Sequence, residues 1–222
     1  MPDELLILDL GKKDYKETWD LQKELQKKRI DGEINDVLIL VEHSPVYTLG
    51  KNADDDNLIA TEKFLKNQGI EVYNIDRGGD ITYHGPGQLV GYPIFNIREM
   101  DLGIKDYVYN VEQVLINMLK NYNIDGDRIE KLTGVWIGKE KLAAIGIRVS
   151  RWVTMHGFAL NVRPDLTKFG GIIPCGITDK GVTRMIDLNP EVKWNHVKNM
   201  VIENFQKIFQ YNKMEKVTES TF

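Results

Sequence analysis

The stretch RGGDITYHGPGQLVGYP, residues 77–93, decides how the rest of the chain is read. A glycine-rich run binds phosphate when it joins a strand to the start of a helix, so that backbone N–H groups and the helix dipole face the anion. Here the glycines lead into more β-forming sequence, over 81–83 and again over 89–94. Neither GxGxxG nor a P-loop pattern is present, which argues against nucleotide-binding α/β folds. Gly85-Pro86-Gly87 is turn chemistry, so the two β segments are expected to form a hairpin. Gly78 and Gly79 do not fit so simple a role, since consecutive glycines weaken a strand. Their better use is to let backbone approach a ligand closely. Arg77 suits either a ligand or an ion pair with a carboxylate, and His84 either a ligand or a structural hydrogen bond. On these residues alone binding and scaffolding stand level.

Upstream, residues 5–10 read as a strand closed by Gly11. Residues 14–29, rich in Lys, Glu, Gln and Leu, read as a helix, with Asp14 placed to cap its first turn and Gly32 just beyond its end. The continuous apolar run 37–41 suits a strand buried on both faces, broken by His43-Ser44-Pro45. A polar loop over 52–57 precedes a short helix over 61–68, stopped by Gly69, and a strand over 72–75. Downstream, Tyr107, Val111, Val114, Leu115 and Met118 share one face of an amphipathic helix over 107–119. Three further strands are expected over 135–137, 142–149 and 153–162. A closing helix over 194–209 carries Val197, Val201, Phe205 and Ile208 on one side. Strands come in clusters with long helices between them, which is an α+β pattern: a mixed β-sheet with flanking helices. No linker or repeat interrupts 1–222, which reads as a single domain.

A net charge of −4 is too mild to announce a nucleic-acid or membrane partner. No apolar run approaches bilayer-spanning length, and Leu5-Leu6-Ile7-Leu8 follows Asp3-Glu4 rather than the basic region of a signal peptide. One cysteine and four scattered histidines do not supply a zinc spacing. The lone Cys175 cannot close an internal disulfide, so a reducing, cytoplasmic location is expected.

Cys175 lies in Gly170-Gly171-Ile172-Ile173-Pro174-Cys175-Gly176. A lone cysteine is more often inert than reactive. Pro174, however, stiffens the approach, and Gly176 leaves the sulfur uncrowded, a setting suited to a nucleophile. A free thiol with a pKa of about 8.5 is only a few per cent thiolate at neutral pH. Help would come from His84, from His156, or from Lys141 at the head of Leu142-Ala143-Ala144-Ile145-Gly146. Spacing does not choose among the three.

Together these segments carry a resemblance. It starts with Val41-Glu42-His43-Ser44-Pro45-Val46-Tyr47-Thr48-Leu49-Gly50 and continues through residues 77–88. It takes in Gly134-Val135-Trp136-Ile137-Gly138, Lys141 with Ala144-Ile145-Gly146, and His156-Gly157-Phe158-Ala159-Leu160-Asn161-Val162, and ends at Ile173-Pro174-Cys175-Gly176. The chain resembles the lipoyl(octanoyl) transferases of the biotin/lipoate protein ligase superfamily over nearly its whole length. The resemblance implies a biotin/lipoate protein ligase-like catalytic domain, with Cys175 as acyl-carrying nucleophile and Lys141 as the lysine that activates it. It assigns acyl binding to Arg77, Gly78, Gly79, Asp80, Ile81, Thr82, Tyr83 and His84, to Ala144, Ile145 and Gly146, and to Gly157, Phe158 and Ala159. It implies octanoyl-acyl carrier protein as donor. The implied acceptor is a lysine on a lipoyl domain, in 2-oxoacid dehydrogenase E2 subunits or the glycine-cleavage H protein. No cofactor is expected, neither ATP nor a metal.

The glycines then line a narrow slot for an unbranched chain, each buried methylene contributing about 0.8 kcal/mol. Exchange of one thioester for another is nearly isoenergetic and amide formation is downhill, so no nucleotide is needed. The tetrahedral intermediate requires hydrogen-bond donors, for which backbone N–H groups near Gly176 and the His84 side chain are candidates. Two alternatives stand beside this reading. One is an ATP-dependent ligase of the same superfamily, against which Cys175 and the HGPGQ run argue. The other is a non-catalytic binding module, against which Cys175 and Lys141 together argue. Arg148, Arg151, Arg163 and Lys168 are candidate basic residues for an acidic carrier protein at the slot mouth.

Overall fold

The computed structural model describes residues 3–173 and 180–222, so Cys175 and its neighbours Pro174 and Gly176 lie outside the described residues. The chain opens with strand β1 (Glu4–Lys12) and helix α1 (Tyr15–Ile30). Asp14 caps α1 as its sequence position predicts, its carboxylate accepting from the Lys16 N–H at 2.8 Å. Strand β2 (Asp36–Glu42) is buried along nearly its whole length. Its alternate residues face two different cores. Leu38 and Leu40 join Leu5 and Ile7 beneath α3 (Ile104–Lys120) and α5 (Trp194–Phe209). Val37, Ile39 and Val41 join Leu6 and Leu8 beneath α1. A strand with helices on both faces needs no polar side, which is why it reads as an unbroken apolar run.

Two sheets result. The larger runs β12 (Lys213–Val217), β1, β2, β6 (Gln88–Ile94), β10 (Val153–Asn161), β9 (Glu140–Ser150), β8 (Leu132–Ile137) and β7 (Asp127–Ile129), with the short β11 (Gly181–Val182) beside β9. It is mixed: β1 lies parallel to β12 and β2, while β2, β6, β10, β9, β8 and β7 follow one another antiparallel. The smaller sheet is β4 (Glu71–Asn74), β3 (Val46–Leu49) and β5 (Ile81–His84), over its own core of Tyr47, Leu49, Ile70, Ile81, Tyr83 and Phe169. Helix α2 (Glu62–Gln68) is capped by the Thr61 hydroxyl and stopped by Gly69 in a left-handed conformation, as expected. A last short helix, α4 (Met185–Leu188), precedes α5.

The expected hairpin does not form. Strand β5 pairs antiparallel with β3 in the small sheet, whereas β6 lies between β2 and β10 in the large one. Both edges of β6 are occupied, so no row of backbone groups is left for β5. The Gly85-Pro86-Gly87 turn is real, closed by the Gln88 N–H on the Gly85 carbonyl at 3.1 Å, but it carries the chain between sheets. Four strands also escape the sequence reading. Strand β3 begins directly after the Pro45 break, β7 and β11 are only three and two residues long, and β12 is a polar, exposed edge strand with no apolar alternation. Among the described residues no helix is long and apolar enough to cross a membrane.

Candidate active site

The junction of the two sheets encloses a cavity of about 710 Å³. Its floor is the β9–β10 pair. Ala144 lies directly opposite Ala159, and Gly146 opposite Gly157, so the register brings four small residues into one bare strip. Two of these glycines are forced by contact. A Cβ on Gly157 would run into the Gly91 carbonyl of β6, and one on Gly146 would come within 2.8 Å of the Gly78 carbonyl. Ile145 and Phe158 complete the predicted floor.

The loop before β5 supplies the wall. Gly78 hangs on β9 through its N–H to the Ile147 carbonyl at 2.9 Å. The buried Arg77 guanidinium donates to the Thr48 carbonyl at 2.7 Å, the Thr48 hydroxyl at 3.0 Å and the Gly78 carbonyl at 3.1 Å. Arg77 thus braces the wall from within. Asp80 accepts from the Asn57 amide at 2.7 Å and the Ile81 N–H at 2.7 Å, so it shapes the loop into β5. Asp76 pins the wall's other end, accepting from His156 Nε2 at 2.9 Å and pairing with Arg148 at 2.7 Å. The hydrogen bond from His156, with Arg148 behind it, holds the Asp76 carboxyl down to about 2. His156 sits in β10 with φ +61°, a conformation non-glycine residues seldom adopt. Its backbone N–H turns to Gln22 Oε1 of α1 at 2.9 Å. Burial pushes its imidazole down, so it donates to Asp76 as the neutral ring.

His84 is fixed by a chain of amides. Asn161 Nδ2 donates to the Thr183 carbonyl at 3.0 Å, and Asn161 Oδ1 accepts from Gln88 Nε2 at 2.9 Å. Gln88 Nε2 also reaches the Tyr83 carbonyl at 3.1 Å, which leaves Gln88 Oε1 to accept from His84 Nδ1 at 2.8 Å. The proton is therefore on Nδ1, and Nε2 carries the lone pair, 3.5 Å from the Thr48 hydroxyl. Burial drives this histidine down to about 3, so it is neutral at physiological pH. Its one N–H is committed, which removes His84 as an oxyanion donor. Gln88 and Asn161 had stood in the sequence motifs with no role attached to them.

Lys141 enters β9 at the opposite end of the floor, with its ammonium 4.7 Å from the centre of the Trp136 ring. Val182 of β11 pairs with it, and the Thr183 N–H bonds the Lys141 carbonyl at 3.1 Å. On the other side of residues 174–179, the Ile173 N–H bonds the Asn57 carbonyl at 2.8 Å, next to the wall loop. Thr82 faces the cavity with Arg77, Gly79, Asp80, Ile81 and His84. Tyr83 does not. It points the other way along β5, edge-on to Tyr47 and Phe169 in the small-sheet core. Of the basic residues expected at the mouth, Arg148 is taken by Asp76, while Arg163 lies 5.8 Å from the Trp194 ring. Tyr15, read from sequence only as part of a helix, lines the cavity as well. Among the described residues no group of three or more His, Cys, Asp or Glu side chains is arranged to hold a metal ion.

Comparison with known proteins gives the family and the fold. The family described as the lipoyl protein ligase A/B catalytic domain matches residues 14–206. A curated relative named octanoyltransferase, from Alkaliphilus metalliredigens, is 48 % identical over 215 residues, covering 96 % of this chain and 99 % of that protein. Among solved structures, P. falciparum LipL1 in complex with lipoate superposes with a TM-score of 0.77 at 16 % identity, covering 96 % of this chain and 66 % of that one. A bipartite lipoate protein ligase from Thermoplasma acidophilum, described with its E2 lipoyl domain, gives 0.73 at 17 % identity, covering 99 % and 88 %. At such identities the structural likeness speaks for the fold.

Proposed function

The chain belongs to the lipoyl protein ligase A/B catalytic-domain family and is an acyltransferase of the octanoyltransferase type, and from that premise we propose that it relays an octanoyl group from acyl carrier protein to a lysine of a lipoyl domain through a thioester on Cys175. The observation that supports this most is the bare Gly/Ala strip of β9–β10 with Lys141 at its head. A strip without side chains suits an unbranched chain, and a lysine at its head suits work at the chain's carbonyl. The segments flanking residues 174–179 are both anchored at the cavity, Ile173 through Asn57 and Thr183 through Lys141.

In the first step the Cys175 thiolate attacks the donor carbonyl, and the bond to the pantetheine sulfur breaks as that sulfur takes a proton from Lys141. In the second step the acceptor amine attacks the Cys175 thioester and its proton passes to Lys141. The amide forms and the Cys175 thiolate leaves. Protons balance over the cycle, and no nucleotide or metal enters it. The acceptors are lipoyl domains of 2-oxoacid dehydrogenase E2 subunits and the glycine-cleavage H protein.

Incubation with octanoyl-acyl carrier protein followed by intact-mass measurement tests the reading. The protein should gain one octanoyl group that hydroxylamine removes. Cys175→Ser should lose transfer to a lipoyl domain by roughly a thousandfold or more. A serine variant that turns over normally, or transfer that runs only with free octanoate and ATP, would overturn it.

A further inference from the structure

The two ends of the cavity differ. At the Lys141 end, Lys131 and Thr133 are exposed to solvent. At the other end Tyr15, Tyr92 and His156 are each no more than 3 % exposed. Strand β9 measures the separation. Its far end, at Ile147 and Arg148, carries the contacts to Gly78 and Asp76, and Tyr15 stacks on His84, which meets the same Thr48 hydroxyl as Arg77. Lys141 to Ile147 is six residues, about 20 Å along a strand. The cavity is therefore a blind slot, open beside Lys141 and closed at Tyr15.

Tyr15 is held as a wall would be. Its ring stacks on His84 at 5.8 Å and 8° and on Tyr73 at 5.7 Å and 28°, and meets His43 edge-on at 5.2 Å. Both histidines are themselves tied, His43 to Tyr92 and His84 to Gln88. A ring so packed does not swing aside. Its hydroxyl makes no hydrogen bond among the described residues, nor is it one of the sealed polar atoms that lack a partner, namely Trp19 Nε1, Gln22 Nε2 and Tyr107 OH. The hydroxyl therefore borders the cavity.

We propose that Tyr15 is the chain-length stop of the slot, the fixed surface on which the far end of the acyl chain comes to rest. The inference rests on the transferase reading and adds to it what sets the length of the chain transferred. Each methylene up to the stop strengthens binding about fourfold, and one more must displace a clamped ring. The preference should then fall steeply beyond one length instead of fading.

The test uses the full chain with acyl carrier protein thioesters from hexanoyl to dodecanoyl and a lipoyl-domain acceptor, read by intact mass. Tyr15→Phe gives up no hydrogen bond to the protein and keeps the fold; removing one oxygen should raise the decanoyl-to-octanoyl rate ratio about fourfold. Tyr15→Leu should raise it tenfold or more and admit dodecanoyl. If the leucine variant does not fold, the phenylalanine variant decides alone. A wild type that transfers octanoyl, with variants that keep its ratio, overturns the stop. A wild type that transfers from no donor overturns the transferase reading and the stop with it.

Discussion

Lys141 is the residue on which the proposed chemistry turns. Its ammonium lies over the Trp136 indole, 4.7 Å from the ring centre, which attracts a cation and holds it at the head of the floor. Lys141→Ala should slow acyl loading by about 10²–10⁴-fold, the usual worth of a positioned proton carrier. Single-turnover loading from octanoyl-acyl carrier protein measures this. The thermal midpoint should stay at the wild-type value, because the lysine is not part of the packed core. Loss of loading only in proportion to lost folded protein would remove Lys141 from the mechanism. At this scale the sequence was legible where chemistry forces a residue type. The four small residues of the floor stand in recognisable motifs, and the two glycines among them are pressed by a neighbouring backbone carbonyl. Tyr15 was not legible, because a tyrosine at the first turn of a polar helix looks the same whether it faces solvent or a cavity. Tyr83 was misplaced for a related reason: strand alternation gives two faces without saying which one a second sheet will cover.

The β9–β10 pair is the element that makes the slot, and its two glycine contacts predict opposite responses. An added methyl on Gly146 would sit 2.8 Å from the Gly78 carbonyl, so Gly146→Ala should push the wall loop off the strand. Overpacking of that kind costs about 1–3 kcal/mol. The Gly78 N–H bond to Ile147 should loosen, seen as faster amide exchange at Gly78 and a raised KM for the acyl donor. An added methyl on Gly78 would meet only the Ile147 carbonyl, at an ordinary 3.4 Å, so Gly78→Ala should leave stability within about 0.5 kcal/mol. Chemical denaturation of the two variants side by side decides this, and equal effects would contradict the assigned close approach. Helix α1 was readable from its Asp14 cap, strand β2 from its apolar run, and helices α3 and α5 from their apolar periodicity. The hairpin was not, since Gly85-Pro86-Gly87 specifies a turn and nothing local specifies the partner of each arm. That choice belongs to β2 and β10, which claim both edges of β6. Strand β12 was invisible because an exposed edge paired only to β1 needs no apolar face.

Across the whole molecule, burial keeps His43 and His84 neutral against the Tyr15 ring, and that placement sets how the protein responds to acid. Burial holds His43 down to about 4 and His84 down to about 3, against an ordinary value near 6.5. In the unfolded chain both take up a proton as pH drops through 6.5, while in the fold both stay neutral. The unfolded state then binds more protons, so stability falls with pH by up to about 1.4 kcal/mol per unit for each histidine. The loss begins near pH 6.5 and continues to about pH 4 for His43 and about pH 3 for His84. Asp76 adds to it lower down. Its contribution is complete above 3.8 and disappears as pH falls through about 2. Urea midpoints should therefore be level between about pH 7 and pH 9 and decline steadily below 6.5. His43→Gln should remove His43's share of the slope between pH 6.5 and 4 and leave that of His84 and His156, whatever it costs at neutral pH through the lost Tyr92 contact. A stability that stays level down to pH 4 would mean that these histidines are open to water. The same result would weaken the slot, because His84 and His43 hold the Tyr15 ring in place only while they remain neutral and enclosed.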